Sequence, residues 1–306
     1  MPNFLLLVVE GTVLINELLV GSRRPDPRAR DLDLVTSFKP HPQAKGDRNE
    51  IPYVPASSWI GVLRHLLEKY YNLPANMPRI RRKGTETIIA PIHECKTLNE
   101  IQKCPVCKIF SRRDVVAWFD DMEPWGNHFN VTRGSKGGEY LIYNENKQLV
   151  AQVFVKDEVI IPREIEKIDI DPQQLGLKGG KSLKGEELLQ KGFRFEPIPR
   201  QVQAVSGTFK FCAKFDMTKL TIDDIKPFFI GLALLEDRYV GRRGSRGYGR
   251  IEFRDIKFEL RTASYYEGNP PIRLDIKYDT SRDAIKQWDK LKQTLENIIK
   301  KIENRG

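Results

Sequence analysis

Nowhere in this 306-residue chain is there a run approaching the roughly 18 apolar residues that a membrane-spanning helix requires. The opening MPNFLLLVVEGTVLI has neither a basic leader nor a small-residue cleavage site. Both absences predict a cytoplasmic protein without a membrane partner. Cysteine is scarce at four residues, too few for a disulfide framework to replace a core. Nor is one needed, because 40% hydrophobic content over this length can bury a sizeable core. Acidic residues fall short of basic ones, 41 against 51, and the resulting charge of +10 favours a polyanionic partner such as nucleic acid.

What is present reads as two similar halves. FLLLVVEGTVLINELLV over 4–20 is rich in Leu and β-branched residues and predicts one long strand. A charged, proline-containing loop over 21–49 follows and predicts no regular structure. From Ser57, with serine available as N-cap, Trp59, Val62, Leu63, Leu66, Leu67 and Tyr70 recur at helical spacing, and Pro74 lies just beyond. Val115 to Phe119 predicts a short strand, and 139–155 a hairpin turning at Asn144 to Lys147. In the second half, Phe209, Phe211, Ala213 and Phe215 alternate onto one face of a strand over 205–215. Thr221-x-x-Asp224 opens a helix with a capping-box pattern, and a strand over 250–259 closes the unit. Two strand-helix-strand units separated by an insertion predict an α+β fold with a ferredoxin-like (RRM-like) βαββαβ core, a sheet whose exposed face commonly reads RNA. GLKGGKSLKGEE over 176–187 predicts a surface loop. A charged helix over 283–304 carries Ile285, Trp288, Leu291, Leu295, Ile298 and Ile302 on one stripe.

Two constellations carry chemistry. His93-Glu-Cys95-x8-Cys104-Pro-Val-Cys107 clusters one imidazole and three thiols at a spacing suited to tetrahedral zinc, with Cys-x-x-Cys as a half-site. Four protein ligands would close the site, so its zinc is structural; free thiols or a Cys104–Cys107 disulfide are the competing readings, the latter disfavoured in the cytoplasm. Cys212 stands alone and predicts a buried thiol. The second is Tyr239-Val-Gly-Arg-Arg-Gly-Ser-Arg-Gly-Tyr-Gly-Arg-Ile-Glu-Phe253. A phosphate loop of the P-loop or Rossmann kind runs strand, loop, helix; here the loop follows a helix, precedes a strand and lacks a Gly-Lys-Ser/Thr triplet. Its glycines allow close approach to a sugar-phosphate chain, Arg242, Arg243, Arg246 and Arg250 can neutralise it, and Tyr248 can stack a base. The competing reading is a tight turn with solvated arginines.

That loop, standing after an apolar helix, resembles the signature glycine-rich loop of the RAMP superfamily of CRISPR proteins. Ile51-Pro-Tyr-Val-Pro-Ala-Ser-Ser-Trp-Ile-Gly-Val-Leu-Arg64 is similar to that family's Ile-Pro-Gly-Ser-Ser-Leu-Lys-Gly-x-x-Arg segment, and Pro199-Arg-Gln-Val-Gln-Ala-Val-Ser-Gly207 resembles the piece after its thumb. With the His/Cys cluster, these stretches span residue 4 to about 260 and resemble the backbone subunit of type III effector complexes.

The resemblance implies a subunit that binds CRISPR RNA and complementary target RNA beside other RAMP subunits. RNA contacts fall to Ser57, Ser58, Arg64, Arg133, Lys136, Arg242, Arg243, Gly244, Arg246, Gly247 and Tyr248. It also implies a core over 1–260, holding a zinc segment at about 90–113 and a thumb insertion at about 125–200, followed by an extension over 261–306. Target cleavage in the family uses an aspartate in an Asp-x-x-aliphatic pattern, which Asp31-Leu-Asp-Leu34 fits; Asp31 is nominated with Asp33 as alternate, and a divalent cation such as Mg2+ would serve an active site. Spacing alone does not separate Asp26, Asp31 and Asp33. Ala56 and Ile60 stand where the family has Gly and Lys, removing one phosphate contact, and Ser22 to Arg30 replaces a glycine-rich run. A non-catalytic scaffold or capping subunit is the alternative, and a repeat-RNA processing endonuclease a weaker one, since its glycine-rich loop would lie nearer the C-terminus.

Overall fold

The computed structural model describes residues 4–22, 32–83, 86–111, 115–159, 169–170, 183–184, 199–241 and 247–304. Asp31, Arg242, Arg243, Gly244, Arg246 and most of the 176–187 stretch lie outside the described residues. In chain order the principal elements are β1 (Leu5–Leu18), α1 (Ala56–Tyr70), α2 (Leu98–Lys103), α3 (Cys107–Phe110), β2 (Ala117–Phe119), β3 (Phe129–Arg133), β4 (Tyr140–Asn144), β5 (Leu149–Val159), β6 (Pro199–Asp216), α4 (Ile222–Glu236), β7 (Arg250–Thr262), α5 (Ala263–Tyr266), β8 (Ile272–Thr280), α6 (Ser281–Lys286) and α7 (Trp288–Glu303).

The four strands β7, β1, β6 and β2 lie side by side and antiparallel, which is the order of a βαββαβ ferredoxin-like sheet. Alternation decides what they bury. Leu7, Val9, Val13 and Ile15 of β1 share a face with Phe209, Phe211, Ala213 and Phe215 of β6 and Phe253 and Phe258 of β7, and all are buried under α1 and α4. Gly231 lets the two helices touch, since a Cβ there would stand 2.6 Å from Leu63 Cδ2. Strand β7 keeps its apolar face through a bulge: Asp255 has φ +55°, and the register against β1 shifts between Glu10 and Thr12. Gly11 faces that bulge, where a Cβ would come within 2.7 Å of the Arg254 carbonyl oxygen.

Strand β6 is longer than the alternating run in the sequence. Its second half pairs with β1, while its first half, from Pro199, pairs with β5 and carries β4 and β3 beyond it. The 139–155 hairpin is present, with Lys147 at φ +59° in its turn. Regular structure enters the charged loop after all: Gly21–Ser22 pairs with Leu32–Thr36, and Phe38–Pro40 with Glu50–Pro52. Backbone pairing to neighbouring strands, invisible in local composition, overrides the proline and charge signals there.

Helix α1 starts at Ala56, not at a serine cap; Pro55 precedes it, and Asp121 accepts a hydrogen bond from the Ala56 amide at 2.8 Å. Helix α4 has its expected box, the Thr221 amide donating to the Asp224 carboxylate at 2.7 Å. The expected C-terminal helix is two, broken at Gln287 (φ −103°, ψ 25°), so that Trp288, Leu291 and Leu295 turn onto α4. Trp288 lies 5.7 Å from Phe229, ring to ring. Strand β8, not anticipated, covers the free edge of β7.

Candidate functional site

The described flanks of the glycine-rich loop show how it is held. Gly241 (φ +84°) and Gly249 (φ +81°) frame it in conformations open to glycine. A Cβ on Gly249 would stand 1.9 Å from the Val240 carbonyl oxygen, and one on Gly241 2.6 Å from that of Leu19. Val240 N–H donates to Gly249 O at 2.9 Å, closing the base, and Gly249 N–H donates to Glu17 O at 3.1 Å, tying it to the end of β1. Gly241, Gly247 and Arg250 are exposed. Tyr248 is not: at 5% exposure it packs on Leu19, Val202 and Ala204, leaving no open ring face for a base. Its expected stacking role gives way to anchoring, because burying the ring is what seats the loop on the sheet.

The same sheet end gathers other elements that the sequence separates. Residues Leu32–Thr36, which follow Asp31 and include Asp33, run parallel to β6, with Leu32 opposite Gln201 and Leu34 opposite Val202. The 134–138 turn holds Lys136, whose amide donates to the Glu139 carboxylate, and its Gly138 carbonyl accepts from the side chain of Gln203 on β6. Arg133 and Lys136 both expose their side chains. Lys156 on β5 extends toward the glycine-rich loop, 5.2 Å from the Tyr248 ring and 2.7 Å from the Glu17 carboxylate. Sequence reading missed Lys156; an isolated lysine in a strand carries no signal until the fold sets it beside the loop. Glu17 itself adopts φ +48° at a bulge, its amide held by Ser206 Oγ at 2.9 Å. At the start of α1, Ser57 is exposed and Ser58 half-buried, its amide donating to Pro55 O.

The exposed sheet face departs from expectation. In place of stacking aromatics on the central strands it presents Glu10 and Thr12 of β1 and Lys210, Cys212 and Lys214 of β6. A concavity of about 680 Å³ there is lined by Glu10, Asp120, Asp121, Glu123 and Asp255 against Lys39, Lys210 and Lys257. Lysines pair most of these carboxylates: Lys39 with Asp121 and Glu123, Lys214 with Asp120 and Lys277 with Asp255, so the face is a mixed-charge network rather than an aromatic one. Cys212 is only half-buried, its thiol pushed up to about 12 by burial and by the nearby Asp120 carboxylate.

Arg64 also takes a different role. Its guanidinium donates to Glu68 at 2.9 Å, to Phe110 O at 3.2 Å and to His93 O, which fixes both ends of the cysteine segment to α1. Three of its five N–H donors are thus spent within the protein, which makes Arg64 a clamp. The segment it holds folds His93, Cys95, Cys104 and Cys107 so that their ligand atoms all lie within 4.8 Å of one another. Zn–S bonds of about 2.3 Å and Zn–N bonds of about 2.0 Å in a tetrahedron place ligand atoms ~3.5 Å apart. His93 Nε2 stands 3.4 Å from Cys95 Sγ and 3.5 Å from Cys104 Sγ. His93 Nδ1–H donates to Pro74 O at 2.9 Å, the outer bond that aims Nε2 at a metal. The Cys107 amide donates to Cys104 Sγ at 3.3 Å. Hydrogen bonds from the Cys107 thiol and backbone amides pull the Cys104 thiol down to about 4, while burial pushes Cys95 up. These four residues can hold a metal ion. Lys108, beside them, pairs with Asp224 at the start of α4, the opposite end of that helix from the glycine-rich loop.

The chain is similar to known proteins. The family model of the RAMP superfamily matches residues 16–252. A curated protein of Methanocaldococcus jannaschii, "CRISPR system Cms endoribonuclease Csm3", is 28% identical over 248 residues, covering 80% of this chain and 77% of that one. A protein of the same name from Methanothermobacter thermautotrophicus is 26% identical over 220 residues, covering 71% and 74%. Among solved structures, the Csm3-Csm4 subcomplex in the type III-A CRISPR-Cas interference complex aligns with a TM-score of 0.43 at 20% identity, over 94% of this chain and 96% of that one.

Proposed function

The chain belongs to the RAMP superfamily, and from that premise we propose that it is a CRISPR RNA-binding backbone subunit of a type III interference complex that cleaves bound target RNA through Asp31. The observation that carries the reading is the meeting, at one end of the sheet, of the glycine-rich loop's base, the strand leading out of Asp31 and the Lys136 turn. The curated relatives, named endoribonucleases, support it.

In this reading the arginines at 242, 243 and 246, with Lys136, Arg133 and Lys156, neutralise RNA phosphates, while Ser57 and Ser58 donate at the start of α1. The 125–200 insertion is the thumb, and the 261–306 extension packs on the core. RNA runs over the glycine-rich end. Cleavage is an in-line displacement: the ribose 2′-oxygen bonds to the adjacent phosphorus, the 5′-oxygen leaves and takes a proton from water, and the Asp31 carboxylate accepts the 2′-hydroxyl proton. A divalent cation such as Mg2+, when bound, supplies charge neutralisation at the leaving oxygen. Zinc on His93, Cys95, Cys104 and Cys107 is structural, since four protein ligands leave no open position.

Two measurements test the proposal. Gel shifts across a salt series are expected to show preference for single-stranded RNA over a duplex of equal length; equal affinity for both counts against it. In a reconstituted complex, Asp31→Ala is expected to abolish target cleavage while retaining guide RNA. Unchanged cleavage by Asp31→Ala and by Asp33→Ala would leave a non-catalytic scaffold.

A further inference from the structure

Strand β8 is the last strand on its side of the sheet, and among the described residues no strand pairs with its outer edge. Such an edge presents backbone N–H and C=O groups that can continue the sheet into another chain, which proteins commonly prevent with proline or edge lysines. β8 has no proline and no run of like charge. Its register against β7 changes by two residues between Arg273 and Lys277, but an even change keeps every side chain on its face. Leu274 and Tyr278 are buried and Ile276 packs on the same core, while Arg273, Asp275, Lys277 and Asp279 form an exposed row on the other face. Lys277 pairs with Asp255; the other three have no ion-pair or side-chain hydrogen-bond partner among the described residues.

The order of signs in that row, positive and negative in turn, decides what fits it. A second β8 laid antiparallel alongside, with a two-fold axis through Ile276, sets Arg273 opposite Asp279 of the second copy and Asp275 opposite its Lys277. Symmetry repeats both contacts, so every charge in the row faces its opposite. A slip of two residues one way sets Asp275 against Asp275 and Arg273 against Lys277; the other way it sets Lys277 against Lys277 and Asp275 against Asp279. A slip of one residue mismatches the two faces. On the core side Ile276 meets Ile276 and Leu274 meets Tyr278, apolar against apolar. One register is selected, and the strand that fills it is β8 itself.

We propose that β8 is a self-association edge: two copies of this chain join by antiparallel β8–β8 pairing centred on Ile276, which continues the sheet across both. β8 lies beyond residue 252, where the family match ends, so this surface belongs to the chain's own extension. The inference does not rest on the RNA-binding reading. A single pair of strands buries less than the roughly 1,200–2,000 Å² of a stable complex, so the dimer is expected to be weak, with a Kd on the order of micromolar or above.

The test is sedimentation equilibrium of the full chain, freed of nucleic acid, over concentrations from micromolar to the millimolar range. Wild type is expected to show a monomer–dimer equilibrium. Arg273→Asp and Asp279→Arg each set like charges opposite one another at both ends of the pairing and are expected to weaken the dimer at least about ten-fold. The double variant exchanges the two charges and is expected to return to within about three-fold of wild type. Thermal unfolding checks that the variants are folded, which exposed charge changes should leave nearly unaltered. Amide exchange in wild-type β8 is expected to slow as protein concentration rises, and this decides the matter even where a variant fails to fold. A wild type that stays monomeric throughout overturns the inference. So does a dimer that both single variants leave intact, one that the double variant does not restore, or one that leaves β8 exchange unchanged. Association only in the presence of RNA overturns it too, because RNA then makes the link.

Discussion

Gly247 and Gly249 show how much a single residue's surroundings matter when its conformation is the same. Both have φ above +80°, but a Cβ on Gly247 would meet nothing within 4 Å, whereas one on Gly249 would meet the Val240 carbonyl at 1.9 Å. Gly247→Ala is expected to cost about 1 kcal/mol of left-handed strain, and Gly249→Ala well above ~2 kcal/mol because the backbone must also move. Thermal unfolding of the two variants checks the ordering; equal melting temperatures would mean that the loop base is not packed as described. Glycine's suitability at these places was legible in the sequence as a glycine-rich loop, but which glycine is indispensable was not. Tyr248 makes the same point in reverse. An aromatic among arginines suggests stacking on a base, yet the ring is spent on Leu19, Val202 and Ala204. Likewise, nothing local separates Gln201, which is exposed, from Gln203, which is fully buried. The difference comes from strand 32–36 arriving from elsewhere in the chain.

Among elements, the cysteine segment was the most legible, because metal ligation constrains spacing directly and a Cys-x-x-Cys turn needs few residues to form. What the spacing could not show is how the segment is fastened. Its two short helices bury Ile101, Ile109 and Phe110 in the core, and Arg64 reaches across from α1 to the carbonyls of His93 and Phe110. Arg64→Met is expected to leave these carbonyls unbonded and to destabilise the protein by roughly 1–3 kcal/mol, with RNA affinity and its salt dependence unchanged. A fall in the salt slope by about one, read from binding at several salt concentrations, would instead return Arg64 to the phosphate-binding set. Chelation with EDTA or the change Cys104→Ser is expected to lower the melting temperature and leave the glycine-rich end intact, since Lys108–Asp224 places the cluster at the far end of α4. Loss of RNA binding with chelation, at a temperature where the protein stays folded, would contradict that separation.

For the molecule as a whole, the C-terminal residues are part of the fold although they lie beyond the family match, which ends at 252. Trp288 is buried against Phe229 with its Nε1–H donating to Asp223, and Lys292 pairs with the same carboxylate. That carboxylate is held below its usual range chiefly by the Lys292 bond. Trp288→Ala is expected to cost about 3–5 kcal/mol, the usual loss for a buried aromatic truncated to alanine. A single cooperative transition at lower temperature would confirm that extension and core unfold together; two transitions would show that α6 and α7 melt alone. Charge is organised at this scale too. A protein of net charge +10 sets a network of paired carboxylates and lysines on its open sheet face, with Lys156 and Arg250 beside the end of β1.

By itself the sequence determined the elements and their class. Alternation at Phe209, Phe211, Ala213 and Phe215, helical spacing from Trp59, and the His93 to Cys107 ligand spacing are local patterns, set by which side of a strand, helix or turn each residue must face. The tertiary structure alone decided which polar residues became scaffolding. Arg64, Gln203 and Tyr248 are all long or ringed side chains able to reach outward or inward. Whether such a group meets solvent or another backbone depends on segments tens to hundreds of residues away, brought alongside by sheet pairing that no local pattern records.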